Sequence, residues 1–277
     1  VADGLAIAII GYGEVGKLFA RELTAAGATV SAYDILLHDP ARAPALVAQA
    51  VADDIRLCSR AAETAEDAAI VISAVTASAV GTVAAEAAFY LRPGQIFLDV
   101  NSASPATKQT AARTVEAGGA LYVEGAVMAP VGGVGLKVPI LAGGPAAAAT
   151  AERLNALGMN LRPVAEEHGR ASAMKLCRSI MIKGIEALIV DCAAAARAWD
   201  VEAEVFGSLD QSFPGTDFAA LAAYMAERVH SHGRRRAAEM REAAAMLADL
   251  GLAPDLAEAV ADAQDRGAAT TRGPAAR

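Results

Sequence analysis

The chain has 277 residues, 55% of them hydrophobic, enough for one large domain or two smaller ones. Its formal net charge of −8 argues against a footprint for nucleic acid or for an anionic membrane surface; the arginines of residues 233–241 (GRRRAAEMR) are a local exception set among glutamates. Three scattered cysteines, Cys58, Cys177 and Cys192, have neither disulfide-framework nor metal-site spacing, and predict reduced thiols in a cytoplasmic protein that holds no metal. No basic segment followed by a cleavable apolar run opens the chain. Its most apolar window, residues 180–198, carries Lys183, Glu186, Asp191 and Arg197, too many charges for a membrane span.

The first half alternates strand-like and helix-like runs. Strands are predicted at 5–10 (LAIAII), 29–33, 55–58, 70–75, 96–100, 121–126, 138–142 and 161–163. Helices are predicted at 14–26, near 44–51, and at 78–90, 105–117 and 145–157. This alternation implies an α/β fold, a Rossmann-type doubly wound parallel sheet with helices on both faces. After residue 164 the strand signal stops. The reading is a dinucleotide-binding domain at 1–164, then an all-helical domain for substrate and dimerisation at 165–277, joined by a long helix; the tail at 267–277 is expected to be disordered.

Gly11-Tyr12-Gly13-Glu14-Val15-Gly16 follows the first strand and opens the first helix. Glycines in that pattern allow a tight turn, close approach of backbone to a pyrophosphate, and tight helix–strand packing. Asp34 ends the second strand, where a carboxylate hydrogen-bonds a ribose 2′-hydroxyl and repels a 2′-phosphate. NAD is therefore the expected cofactor. Arg42 leaves NADP open.

The long helix, residues 169–199, carries apolar residues at Met174, Cys177, Met181, Leu188 and Cys192. A polar line, Lys175, Ser179, Lys183 and Glu186, shares one sector of the helix with Arg178 beside it. Apolar flanks on both sides favour a face lining a cleft over a solvated one. A cleft lysine has a use, since burial disfavours its charged form and lets the amine exchange protons near neutrality.

A glycine-loop sheet domain joined to a helical domain, with a lysine early in the linking helix, resembles the β-hydroxyacid dehydrogenases, which include 3-hydroxyisobutyrate and 6-phosphogluconate dehydrogenases. Asp99-Val100-Asn101-Ser102-Ala103-Ser104-Pro105 resembles the family's DxSTxxP loop. Residues 72–76 resemble its strand and cofactor-contacting loop, and residues 124–144 its substrate segment DAPVSGG…MVGG. Gly169…Lys175…Ser179 resembles GxxxxxKxxxN. The second half looks like a less characterised subgroup with its own helical domain.

The resemblance implies Lys175 as catalytic acid/base, with Ser102 and Ser179 able to bond the substrate's hydroxyl or carboxylate. It implies Val75, Thr76 and Asn101 at the cofactor, beside Gly11 to Gly16 and Asp34. Two departures stand out. Met128-Ala129-Pro130 occupy the Ser-Gly-Gly positions when the segment is read without a gap, and Ser179 stands where the family has asparagine. Ser102 has an alternative reading as a helix cap or turn serine before Pro105. Arg178 is a candidate anchor for the substrate's acid group, or else the partner of Glu166 or Glu167. His232 is a substrate candidate because His-Gly-Arg is odd within a helix; His38 and His168 read as solvated. Lys183 is expected to tolerate replacement far better than Lys175.

The implied activity is hydride transfer between nicotinamide and a small hydroxy acid, or its aldehyde or keto form, in a homodimer. Alternatives are an imine or keto-acid reductase of the same build, or a dinucleotide-binding relative without enzymatic activity.

Overall fold

The computed structural model describes residues 4–269. Eight strands form one sheet: β1 (Ala6–Ile10), β2 (Thr29–Tyr33), β3 (Arg56–Leu57), β4 (Ile70–Ser73), β5 (Ile96–Asp99), β6 (Leu121–Val127), β7 (Pro139–Gly143) and β8 (Asn160–Ala165). Their order is β3-β2-β1-β4-β5-β6-β7-β8, which reverses direction beside β1 as a doubly wound sheet does. The helices between them are α1 (Glu14–Ala25), α2 (Ala43–Ala52), α3 (Ala61–Ala65), α4 (Val80–Tyr90), α5 (Pro105–Glu116) and α6 (Ala147–Asn155).

Strand periodicity explains why both faces are covered. Successive side chains point to opposite sides of a strand. In β1, Ile7 and Ile9 join one hydrophobic cluster while Ala8 and Ile10 join the other. In β5, Ile96 and Leu98 go to the first cluster and Phe97 to the second. A strand buried on both faces needs the continuous apolar run that the sequence shows at residues 5–10.

Two details differ from the sequence reading. The five-residue helix α3 was not anticipated, and β7 runs antiparallel to β6. A parallel return needs a crossover of a dozen or more residues, usually helical. Between Val127 and Pro139 the chain has only a loop with a short 3₁₀ turn at Gly135–Lys137, so it folds straight back. The helix α6 then supplies a true crossover, and β8 pairs parallel to β7.

The long helix α7 (Arg170–Ala198) follows, then α8 (Glu202–Ser212), α9 (Phe218–Asp249) and α10 (Asp255–Ala269). The chain divides into two compact units within α7, one ending at Lys175 and one starting at Leu176. Of the tail expected to be disordered, residues 267–269 are helical and close α10. The remainder, 270–277, lies outside the described residues.

In the helical unit Ile189, Ala193, Phe206, Ala222 and Met225 form a buried cluster. Helices α9 and α10 approach unusually closely. A Cβ on Gly233 would stand 2.3 Å from the Gln264 carbonyl oxygen, and one on Gly267 would stand 2.2 Å from Val229 Cγ1. The His-Gly-Arg step inside α9 is thus a helix-crossing device. No described helix is long and apolar enough to cross a membrane.

Candidate active site

The glycine loop has the geometry its motif requires. Gly11 has φ +96, and a Cβ there would lie 2.4 Å from the Ala74 carbonyl oxygen. A Cβ on Gly16 would lie 1.9 Å from the Gly11 carbonyl oxygen. Both positions exclude any side chain. Gly13 differs: it is exposed, nothing stands within 4 Å of where its Cβ would be, and it caps α1 with no side-chain bond to the helix. The amide groups at the start of α1, headed by the exposed Glu14 and half-buried Val15, therefore face open space suited to an anion. A dinucleotide's pyrophosphate fits this cradle.

Asp34 is buried at the end of β2. Its Oδ2 accepts the Tyr12 N–H at 2.7 Å and its Oδ1 accepts the Leu36 N–H at 2.9 Å. It thus ties the glycine loop to the turn where a ribose would sit. Tyr12 itself is fully buried, its hydroxyl donating to Asp53 at 3.1 Å; it serves the loop through its backbone and its packing. Ile35, beside Asp34, is 72% exposed and offers no positive charge, while Arg42 is ion-paired with Asp39 at 3.5 Å. Across the loop, Val75 lies within 2.9 Å of the Gly11 Cβ position, and Thr76 is exposed with its hydroxyl 3.2 Å from that of Ser78.

The segment after β5 is held from below. Asp99 is 1% exposed, and Lys108 of α5, equally buried, pairs with its Oδ1 at 2.9 Å and donates to its carbonyl oxygen at 2.9 Å. Tyr122 donates its hydroxyl to Asp99 Oδ2 at 2.7 Å. Burial, and then the Asp99 charge, push the Tyr122 pKa well up. Asn101 directs its amide nitrogen to Asp99 Oδ1 at 2.6 Å and to Ser73 at 3.1 Å, so that group braces the loop. Ser104 caps α5, its side chain accepting the Thr107 N–H at 3.3 Å. The cap role considered for Ser102 therefore belongs to Ser104. Ser102 instead receives a hydrogen bond from Lys175 Nζ.

Met128 and Ala129 are half-buried and Pro130 is exposed in the turn after β6, and the Met128 N–H prolongs the β6–β7 ladder to the Pro139 carbonyl at 2.9 Å. His168, expected to be solvated, is instead partly buried: it bonds Glu116 at 3.0 Å and packs edge-on against Tyr122 with ring centroids 5.4 Å apart.

In the helical unit the polar line of α7 turns inward. Ser179 and Lys183 are about 5% exposed and Glu186 is 1% exposed, whereas Met181 and Leu188 are 63% and 72% exposed. Lys183 pairs with Glu239 of α9 at 3.1 Å and donates to Ser179 at 3.0 Å, and Ser179 donates to Glu239. Burial lowers the Lys183 pKa, opposed by Glu239. Glu186 pairs with Arg236 and, at 3.1 Å, with Arg228, and accepts from Gln264 of α10 at 3.2 Å. Within this unit the expected cleft-lining face is a buried ionic network, because α9 supplies complementary charges and α10 an amide donor. Replacement of Lys183, expected to matter far less than that of Lys175 for turnover, is predicted from this burial to cost stability. Arg178 is exposed and makes no ion pair among the described residues. His232 is exposed on α9.

Sequence reasoning missed Glu124, Lys108, Arg236 and Gln264. A lone carboxylate in the apolar run YVEGAV of β6 was the available signal for Glu124.

The chain belongs to the family described as the NAD binding domain of 6-phosphogluconate dehydrogenase, which matches residues 6–161. A domain of unknown function (DUF1932) matches residues 196–267. No curated protein matches. Among solved structures, a conserved hypothetical protein from Sinorhizobium meliloti 1021 is 38% identical with TM-score 0.84, covering 100% of this chain and 92% of that chain. The conserved protein MTH1747, of unknown function and described as structurally similar to 3-hydroxyacid dehydrogenases, is 29% identical with TM-score 0.77 over 95% and 98% of the two chains. Mycobacterium tuberculosis 3-hydroxyisobutyrate dehydrogenase with L-serine shares the fold at 19% identity, TM-score 0.78, over 96% and 94%.

Proposed function

We propose that this chain is a nicotinamide-dependent oxidoreductase acting on a small hydroxy acid, or on its aldehyde or keto form, with Lys175 carrying the proton. The observation that carries this reading is the bond from Lys175 Nζ to Ser102 Oγ in the unit that holds the dinucleotide loop. It pairs a mobile proton with a hydroxyl at the carboxyl ends of the strands, where ligands of such sheets bind.

Hydride exchange at carbon is the chemistry that the nicotinamide supplies when bound. Glycines 11, 13 and 16 and the start of α1 would hold its pyrophosphate, and Asp34 its ribose. In oxidation Lys175, as the neutral amine, takes the substrate's hydroxyl proton as the hydride leaves the same carbon. In reduction it returns that proton to the carbonyl oxygen. Ser102 orients the amine and the reacting oxygen. Asp34 with Ile35 favours NAD over NADP. Arg178, with no ion pair among the described residues, is proposed to receive the acid group, and Met128 to face an apolar part of the substrate. Exposed Met181 and Leu188 on α7 support a homodimer, which sedimentation velocity reports directly. Three unbonded cysteines suit a reducing, cytoplasmic setting.

The test is a panel of hydroxy acids with NAD, and of aldehydes, keto acids and cyclic imines with NADH, followed by reduced-nicotinamide absorbance. Turnover of hydroxy acids supports the proposal. Turnover confined to cyclic imines replaces it by the reductase alternative, and no turnover with tight dinucleotide binding replaces it by the binding-protein alternative.

A further inference from the structure

Two buried carboxylates stand side by side beneath the Lys175–Ser102 pair. Asp99 ends β5 and Glu124 lies in β6, and the two are register partners in adjacent parallel strands. Each holds one half of the pair. Asp99 accepts from Asn101 and Tyr122 and is ion-paired with Lys108, which fixes the segment carrying Ser102. Glu124, with no exposed surface, accepts the Gly169 N–H at 2.9 Å and the Ala171 N–H at 2.8 Å on Oε1, and the Ser172 hydroxyl at 2.9 Å on Oε2. These groups form the first turn of α7, one turn before Lys175. An unpaired helix start exposes amide donors, and a carboxylate satisfies them while complementing the helix dipole.

The surroundings are shaped for this cap. A Cβ on Gly143 would stand 2.4 Å from Glu124 Oε1, so that glycine keeps the space the carboxylate needs. Gly169 has φ +96, and its Cβ would meet Gln109 Nε2 at 2.9 Å and Pro105 at 3.2 Å, so α5 seats directly against the turn. Gln109 of α5 also donates to the His168 carbonyl at 3.1 Å. The start of α5, set by the Asp99 network, and the start of α7, set by Glu124, are thereby locked together.

We infer that Glu124, with Asp99 beside it, is a positioning residue that sets the Lys175 amine against Ser102 before any ligand arrives. The inference rests on reading Lys175 as the proton carrier, but its test needs no turnover. The intact protein, without cofactor, is acylated briefly by an amine-reactive ester, and the rate at Lys175 is divided by that at exposed Lys137 using peptide mass spectrometry. Melting temperature is recorded for each variant.

In the parent the ratio departs from unity because Lys175 is held. Glu124→Gln keeps the parent ratio: its carbonyl oxygen still accepts both amide groups and its NH₂ meets the Ser172 hydroxyl, which reverses. Glu124→Asp keeps the charge but withdraws the group by about one bond length, ~1.5 Å, and its ratio moves toward unity. Ser172→Ala, which removes one of the three bonds, gives a smaller shift in the same direction and serves if Glu124→Asp does not fold.

Three results would overturn the inference. One is a parent ratio of unity. Another is a fall in melting temperature at Glu124→Asp or Ser172→Ala with the ratio unchanged, which makes Glu124 scaffold alone. The third is Glu124→Asp keeping the ratio while Glu124→Gln loses it, which makes charge and not placement the cause. Failure of the proton-carrier reading shows separately, as full turnover by Lys175→Ala, and leaves the labelling ratio standing.

Discussion

Asp34 accepts two backbone amides, at 2.7 Å and 2.9 Å, so its carboxylate is fixed where a ribose hydroxyl would approach. The neighbouring Ile35 projects into solvent. Asp34→Ser with Ile35→Arg removes a negative charge and adds a planar donor able to grip a phosphate in two places. The expected outcome is a change of preference from NADH to NADPH, read by binding titrations of both dinucleotides. Tighter NADPH binding by the parent would contradict the assignment. At this scale the sequence was informative wherever a backbone constraint left one residue type possible. Gly11 and Gly16 could be assigned from their pattern because any Cβ there strikes a carbonyl oxygen. The choice between Ser102 and Ser104 as cap was not legible, since both precede Pro105 and only geometry separates them.

Among the elements, α7 carries the largest surprise. Its apolar flanks favoured a polar face lining a cleft, but Ser179, Lys183 and Glu186 are buried in an ionic network while Met181 and Leu188 are exposed. Hydrophobic periodicity finds a core only when neighbouring helices present apolar faces; here α9 presents Arg228, Arg236 and Glu239. No local pattern in α7 announces charges some fifty residues away. The pair Lys183–Glu239 gives a test. Lys183→Met removes the ammonium paired with a carboxylate in a site only 13% exposed, and breaking a buried pair costs about 3–5 kcal/mol. Ser179 still bonds Glu239, which favours the lower end, about 3 kcal/mol. Lys183→Met with Glu239→Leu should recover most of that, because replacing both charges by apolar groups is often neutral. Urea unfolding of the two variants decides it; equal losses in single and double variants would show that the polar network itself is required.

For the whole molecule, the strand–helix alternation was legible because a sheet covered on both faces demands unbroken apolar runs. The reversal of β7 was not, since it depends on the length of one connection and not on the strand itself. A consequence of the sheet unit's burial is alkaline sensitivity. Tyr12, Tyr33, Tyr90 and Tyr122 all have their pKa raised from 10.0, chiefly by burial. A group whose folded pKa is raised contributes stability that is fully present below the unfolded pKa and lost as pH climbs through the folded one. The urea midpoint should therefore fall as pH rises above about 10. The Tyr90 hydroxyl has no hydrogen-bond partner among the described residues. Tyr90→Phe should leave stability at neutral pH unchanged or improved, and should flatten the alkaline loss. An undiminished slope in that variant would place the loss elsewhere.

Once a turned-over hydroxy acid is in hand, the central claim is tested most directly by comparing Lys175→Ala with the parent in kcat and in dinucleotide Kd. General acid–base catalysis contributes roughly 10²–10⁴-fold, so kcat should fall by that factor while dinucleotide affinity and melting temperature stay close to the parent's. A Lys175→Ala protein that turns over its substrate at the parent's rate would contradict the account.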